Sequence, residues 1–271
     1  MRTLQLAART VRILAVPLLV AAVLPAAAAA AQARPLDPAG SFSITGQLSG
    51  VAATSARNAW AVGTTGAKTL IAHWNGTSWT RVVSPSPGSF SSLAAVAATS
   101  ASNAWAVGTA GGKALIVHWN GTAWKRVPSP SPAGGATLAG VAATSARNAW
   151  AVGSSGTGKT LIERWNGKTW TLVPSPNPRS GELLGVAATS ASSAWATGIA
   201  LPSSGPGKTL ILRWNGRAWT RVPSPSPGRD ASLFGVASAS ARNAWAVGST
   251  SKINHGTSKT LILHWNGTTW T

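Results

Sequence analysis

Beyond residue 33, hydrophobic residues come in short runs separated by turn-forming residues, and no stretch carries a helical period. The segment NAWAVG from Asn58 alternates strictly, with Trp60 and Val62 on one side and Ala59 and Ala61 on the other, as a strand buried on both faces would. LSGVAAT from Leu48 is small, apolar and β-branched, and KTLIAHW from Lys68 is a second apolar run that ends in Asn75-Gly76. Asn-Gly takes the positive φ that tight hairpins need. WTRVV from Trp79 then runs into SPSP, where Pro85 and Pro87 cannot donate to a ladder and stop the strand. The pattern predicts four short antiparallel strands joined by tight turns.

This unit recurs five times. GVAATSARNAWAVG at Gly50 returns with small changes at Ala95, Gly140, Gly185 and Gly235, and each copy is followed by a relative of KTLIAHWNGTSW, from Lys68, Lys113, Lys159, Lys208 and Lys259. All 15 tryptophans fall inside the unit, three to a copy. Four strands in about 45 residues is the period of a propeller blade. The expected fold is therefore all-β, a five-bladed β-propeller with blades at about 48–92, 93–137, 138–182, 183–232 and 233–271; a β-solenoid or a row of sandwiches is the alternative.

NAWAVG followed by WNGTSW resembles the Asp-box-like propeller repeats of the photosystem assembly-factor type, whose units carry a GWAVG strand and a DGGxTW turn. It is similar also to secreted repeat proteins of high-GC bacteria built from AWAVG and HWNGxxW units. The likeness covers residues 48–271 and implies the propeller fold, which serves many functions. The turn departs from the Asp-box pattern, with Asn75, Asn120, Asn166, Asn215 and Asn266 in place of Asp.

The amino terminus has a different character. Arg2, Arg9 and Arg12 precede an apolar run from Ile13 to Ala31, and Ala31 and Ala33 flank Gln32. This is the pattern of a secretory signal peptide over residues 1–33, with a retained anchor as the competing reading. The mature chain is then expected to be secreted, with no transmembrane segment after cleavage. Residues 34–47 form a separate N-terminal segment. Because the fifth copy stops at Thr271, before the RVVSPSP seen elsewhere, either residues 41–47 supply its last strand and close the ring or the repeats run on. An open ring would leave strand edges that favour association, and the sequence leaves the oligomeric state undefined.

Composition narrows the chemistry. The 271 residues hold no Cys and no Tyr, and 23 Lys plus Arg oppose only 4 Asp plus Glu, a net charge of +19. Thiol catalysis, Cys-ligated metals, disulfides and phenol nucleophiles are excluded. Asp37, Glu163, Glu182 and Asp230 are the only acids, and no two share a position that would make a hydrolytic pair. No metal or cofactor is expected, because His73, His118 and His264 are replaced by Arg164 and Arg213 in the other two copies. GSSGTGKT at Gly153 fits a phosphate-loop pattern, but LIERW after it reads as a strand, and that chemistry requires a helix.

Spacing indicates where binding would sit. Val51 to Trp60 and Trp74 to Trp79 keep the same intervals in every copy, whereas the segment between the second and third strands lengthens toward the fourth and fifth. In an up-and-down blade that variable loop shares a face with the SPSP connections, and variable loops on a rigid scaffold commonly carry recognition. Lys68, Lys113, Lys159, Lys208 and Lys259 open the third strand on that side as a potential ring, and His255 lies in the longest loop. Trp79, Trp124, Trp170, Trp219 and Trp270 are candidate sugar-stacking rings, with hairpin packing as the plainer reading; Trp60 and its counterparts are expected between blades. The positive charge is spread over both faces, so specific nucleic-acid binding is not expected. The reading is a secreted, non-catalytic propeller that binds carbohydrate or an anionic cell-envelope polymer. A glycan-degrading enzyme and a protein-interaction scaffold are the alternatives.

Overall fold

The structure is a computed structural model that describes residues 43–176, 180–251 and 258–271. The expected signal peptide over residues 1–33, residues 34–42 with Asp37, and His255 lie outside the described residues. No helix occurs among the described residues, and so none is long and apolar enough to cross a membrane.

Each repeat folds as one antiparallel meander. The first sheet comprises β1 (Gln47–Ser55), β2 (Asn58–Thr65), β3 (Lys68–Trp74) and β4 (Trp79–Val82). The second holds β5 (Ser91–Ser100), β6 (Asn103–Ala110), β7 (Lys113–Trp119) and β8 (Trp124–Val127). The third holds β9 (Ala136–Ser145), β10 (Asn148–Ser155), β11 (Thr160–Trp165) and β12 (Trp170–Leu172). The fourth holds β13 (Ser180–Ser190), β14 (Ser193–Leu201), β15 (Lys208–Trp214) and β16 (Trp219–Arg221). The fifth is three-stranded, with β17 (Arg229–Ser240), β18 (Asn243–Ser251) and β19 (Ser258–Trp265). Its fourth strand is reduced to a Trp265–Trp270 bridge and a pair of backbone hydrogen bonds between His264 and Thr271. Gln47 belongs to β1, where it pairs with Thr64, and residues 43–46 form no strand. The described part of the candidate closing segment therefore adds nothing to the fifth sheet.

Each strand that opens a sheet lies beside the one that opens the next, in the order β1, β5, β9, β13, β17. The five sheets thus fan around an axis lined by these strands, as blades. A register shift in each first hairpin, between Leu48 and Gly50 in the first blade, presses the inner strand against the glycine of AWAVG. A Cβ at Gly63 would collide with the Gln47 carbonyl oxygen, and the same holds for Gly108, Gly153, Gly198 and Gly248 against their own inner strands. That close approach explains why glycine ends the motif in every copy.

Blade-to-blade packing arises from the alternation. Trp60, Val62 and Ile71 of the first blade bury against Leu93, Val96, Ala104, Ala106, Leu115, Val117 and Trp124 of the second. Three further cores repeat the arrangement down the chain. The large ring from one blade sits over the alanines of the next, so volume is complementary across each seam. Four of the five central tryptophans are at most 1% exposed, namely Trp60, Trp105, Trp150 and Trp195. Each is gripped by the hairpin pair of the following blade. Trp60 lies 4.8 Å from Trp119 and 5.1 Å, edge to face, from Trp124, and the other three seams repeat these separations within 0.2 Å. Such tilted and T-shaped contacts are the favoured aromatic geometries.

Candidate functional site

The two ends of the blades are built differently. On one, the turn after each first strand touches the turn after the third: the Trp74 indole N–H donates to the Ala56 carbonyl at 3.0 Å, and Gly76 sits against Arg57. Asn75 Oδ1 accepts from the backbone N–H groups of Thr77 and Ser78, both at 2.9 Å, while Gly76 takes φ 98°. The same side-chain cap recurs at Asn120, Asn166, Asn215 and Asn266, so the amide oxygen supplies the turn contacts itself. This end is architecture.

Beneath it a buried polar layer packs on the central tryptophans. Asn58 Nδ2 donates to Thr54 Oγ1 at 2.6 Å, which leaves Asn58 Oδ1 to accept from His73 Nε2 at 2.8 Å. The imidazole lies over Trp60 at 4.2 Å, and His118 and His264 repeat the stack on Trp105 and Trp245. Burial lowers the pKa of His73 and of His118, because the charged ring would lose water. In the arginine copies a cation replaces the imidazole stack: the Arg164 guanidinium lies 4.9 Å from Trp150, and that of Arg213 lies 5.2 Å from Trp195. These two arginines also reach the next blade, donating to the carbonyls of Ala191 and Ala241. His and Arg thus share one packing role. No group of three or more potential metal ligands occurs among the described residues.

The opposite end carries the variable loops. The inner strand of each following blade is stitched to the loop before it: Ser91 N–H donates to Ala67 O, Ala136 to Gly112, Gly181 to Gly158 and Ala231 to Gly207. Each accepting residue directly precedes a candidate lysine. Lys68, Lys113, Lys159 and Lys208 therefore stand at the four seams, and Lys259 holds the same position in the fifth blade. All five are exposed, and none has an ion-pair partner among the described residues. Asp230 accepts from the Gly207 N–H at 2.7 Å and so fixes the longer loop of the fourth blade. At Gly153–Thr160 the phosphate-loop pattern runs from the end of β10 through a tight turn closed by Gly158 N–H to Ser155 O into the first residue of β11.

The candidate aromatic platform is not open. Trp124, Trp170, Trp219 and Trp270 are 4–5% exposed, buried against the central tryptophan of the preceding blade, and only Trp79 is half-buried. With so little surface exposed, the four buried rings cannot stack on a sugar.

Two features of the seams were not read from the sequence. The SPSP hydroxyls latch the third strand: Thr69 Oγ1 lies 2.7 Å from both Ser84 Oγ and Ser86 Oγ and donates to the Pro85 carbonyl, and Thr209 Oγ1 pairs likewise with Ser224 Oγ and the Pro225 carbonyl while its backbone N–H donates to Ser226 Oγ. The recurrence of Thr in KTL with Ser in SPSP was the available signal. Glu163 is fully buried, with Oε1 accepting from Ser129 of the preceding blade at 3.3 Å and Oε2 without a partner. Desolvation pushes its carboxyl pKa up to about 7, against a lesser opposing effect of the Ser129 hydrogen bond. Burial also raises the pKa of Glu182, on the inner strand of the fourth blade.

This architecture defines a β-propeller, and solved structures share it. YCF48 bound to a D1 peptide matches with TM-score 0.53 and 16% identity, over 84% of this chain and 66% of its own. The six-bladed fucose-recognising lectin of Aleuria aurantia matches with TM-score 0.54 and 13% identity, over 83% and 77%. A GH74 enzyme of Niastella koreensis matches with TM-score 0.54 and 18% identity, over 83% of this chain but 38% of the enzyme. No family model and no curated protein matches the sequence. At these identities the likeness establishes the fold alone.

Proposed function

We propose that this chain is an exported, non-catalytic propeller that binds acidic glycan or a related anionic envelope polymer on its variable-loop end. The observation that carries the reading is the set of five exposed lysines, one per blade at the same repeat position and without ion-pair partners among the described residues. The likeness to a fucose-recognising lectin supports a carbohydrate ligand, and the charge of this chain favours an acidic one. Neutral-sugar stacking is not favoured, because the hairpin tryptophans are buried. Hydrolysis is not favoured either: Glu163 is sealed between blades, and Asp230 holds a loop.

Calorimetric titration of the full chain with a sulfated polysaccharide tests the proposal, with a neutral fucosylated oligosaccharide as control. Binding to the polyanion should weaken steeply as salt is raised. Replacing the five lysines by Gln should reduce affinity roughly 70-fold, taking about 0.5 kcal/mol for each exposed pair. Equal binding of the neutral sugar, or an unchanged affinity in the Gln variant, would refute the lysine site.

A further inference from the structure

Three positions around the seam between the second and third blades depart together from the repeat. Glu163 is fully buried in a column held elsewhere by Ala72, Val117, Leu212 and Leu263. Directly opposite that column on the fourth strand stand Arg81, Arg126 and Arg221, but opposite Glu163 stands Leu172. The one blade with a carboxyl thus lacks the arginine that could pair with it across the strands. The latch of the facing blade is altered as well. Ser84, Ser175 and Ser224 bind Thr69, Thr160 and Thr209 within their own blades, whereas Ala114 offers Ser129 no hydroxyl. Ser129 donates across the seam instead, to Glu163 Oε1 at 3.3 Å, and Oε2 has no partner.

We propose that Glu163 makes this seam a proton-operated hinge: while the carboxyl is neutral the second and third blades stay docked, and on ionisation they part while the other seams hold. The carboxyl shares the seam with Trp105, Val107, Ile116 and Ala151, where a carboxylate with one long hydrogen bond and no counter-ion is strongly disfavoured. No charge is placed to relieve it. The strands β6, β9, β10 and β12 carry no titratable residue. On β7 and β8, His118 is bonded to Asn103 and stacked on Trp105, Lys113 and Lys125 are exposed, and Arg126 pairs with Val117 on the face toward the first blade. On the strand of Glu163 itself, the Arg164 guanidinium lies over Trp150 and Trp214, on the other side of the sheet. In the fourth blade, Glu182 alternates with Leu183, which packs toward the third, and so points away. Desolvation accordingly raises the Glu163 pKa from 4.5 to about 7, against the smaller opposing pull of Ser129. The docked seam binds the proton more tightly than the parted one, so docking is favoured at low pH and lost as pH rises through about 7. With 4.5 for the carboxyl once it meets water, the opening equilibrium rises about 70-fold from pH 5 to pH 8.

Amide hydrogen exchange of the full chain reads the seams one by one, because each has its own backbone hydrogen bond between blades. Ser91, Ala136, Gly181 and Ala231 donate to Ala67, Gly112, Gly158 and Gly207, and Ala136 reports the seam of Glu163. After correction for the intrinsic exchange rate, protection at Ala136 should fall about 70-fold between pH 5 and pH 8, while the other three change by less than about threefold. Glu163→Gln should abolish the fall. Leu172→Arg, at a position already 48% exposed, supplies the counter-ion of the other blades and should lower the midpoint from about pH 7 to about pH 6 or below. Ser129→Ala removes the hydrogen bond that favours the ionised form and should raise it. Side chains that serve only as packing would leave the midpoint where it is. Protection at Ala136 that stays flat with pH overturns the hinge, as does a fall that survives Glu163→Gln. A fall shared equally by Ser91, Gly181 and Ala231 overturns it too, since the carboxyl would then govern the whole fold rather than one seam.

Discussion

Trp195 and Trp245 stand in nearly the same local sequence, AWAT and AWAV, and in the same strand of adjacent blades. One is fully buried between Trp265 and Trp270, with the Arg213 guanidinium over its ring; the other keeps half its surface open above a single histidine. The strands are alike, so the difference comes from the neighbouring blade, which covers Trp195 and has no counterpart over Trp245 among the described residues. In a repeat array the burial of a residue is decided by the next unit, and stability is mainly a sum of seams.

The sharpest test of that comparison is truncation at the two positions. Trp195→Ala should cost about 3–5 kcal/mol, the usual range for removing a buried aromatic ring. Trp245→Ala should cost under about 1 kcal/mol in dilute monomer, where little packing is lost. Urea melts of the two variants at low concentration read the contrast. Equal destabilisation would mean that the fifth face is covered in solution after all.

Internal seams also differ from one another, and Glu163 marks the seam between the second and third blades as the compromised one. Its counterparts Ala72, Val117, Leu212 and Leu263 are apolar and buried, and only Glu163 brings a carboxyl. With its pKa raised from 4.5 to about 7 in the folded state, the group binds its proton more tightly folded than unfolded. Its contribution is intact below about pH 4.5 and is lost as pH rises through about 7. Glu163→Gln should therefore match wild type at pH 4 and exceed it by on the order of 3 kcal/mol above pH 8. Melting curves at the two pH values decide it; a gap that does not grow with pH would mean that the carboxyl is hydrated.

The blades and the identity of the two ends were legible because they are local. Period-two alternation placed Trp60, flanked by alanines in its own strand, between blades, and the Asn-Gly dipeptide placed the hairpin, as the φ of Gly76 and the Asn75 cap show. Constant turns and lengthening loops separated the ends, and the lysines fall on the variable one. That Trp124 and its counterparts pack was the plainer reading of the sequence, but which blade covers them was not legible, because it depends on how far one blade rotates against the next. The exposure of Trp245 and Leu48 was hidden for the same reason: their local sequences repeat those of covered blades. Glu163 stood out as the odd residue of its column, but only the seam shows that it meets Ser129.

The smallest effect concerns the hydroxyl latch, which the seams carry unevenly. Thr69 and Thr209 each bind two serines and a proline carbonyl of the SPSP segment, and Thr160 binds Ser175 at 2.6 Å. In the second blade the same position is Ala114, whose backbone N–H alone reaches Ser131 at 3.3 Å. Thr209→Val keeps the shape and removes the hydroxyl, and should cost about 1–2 kcal/mol, a net hydrogen bond or two. Ala114→Thr should gain about 1 kcal/mol by restoring the missing latch, provided that the added hydroxyl and methyl fit a site 5% exposed. If Ala114→Thr instead destabilises in urea melts, the second seam is already packed to its limit, and the latch is a substitute for volume rather than an addition to it.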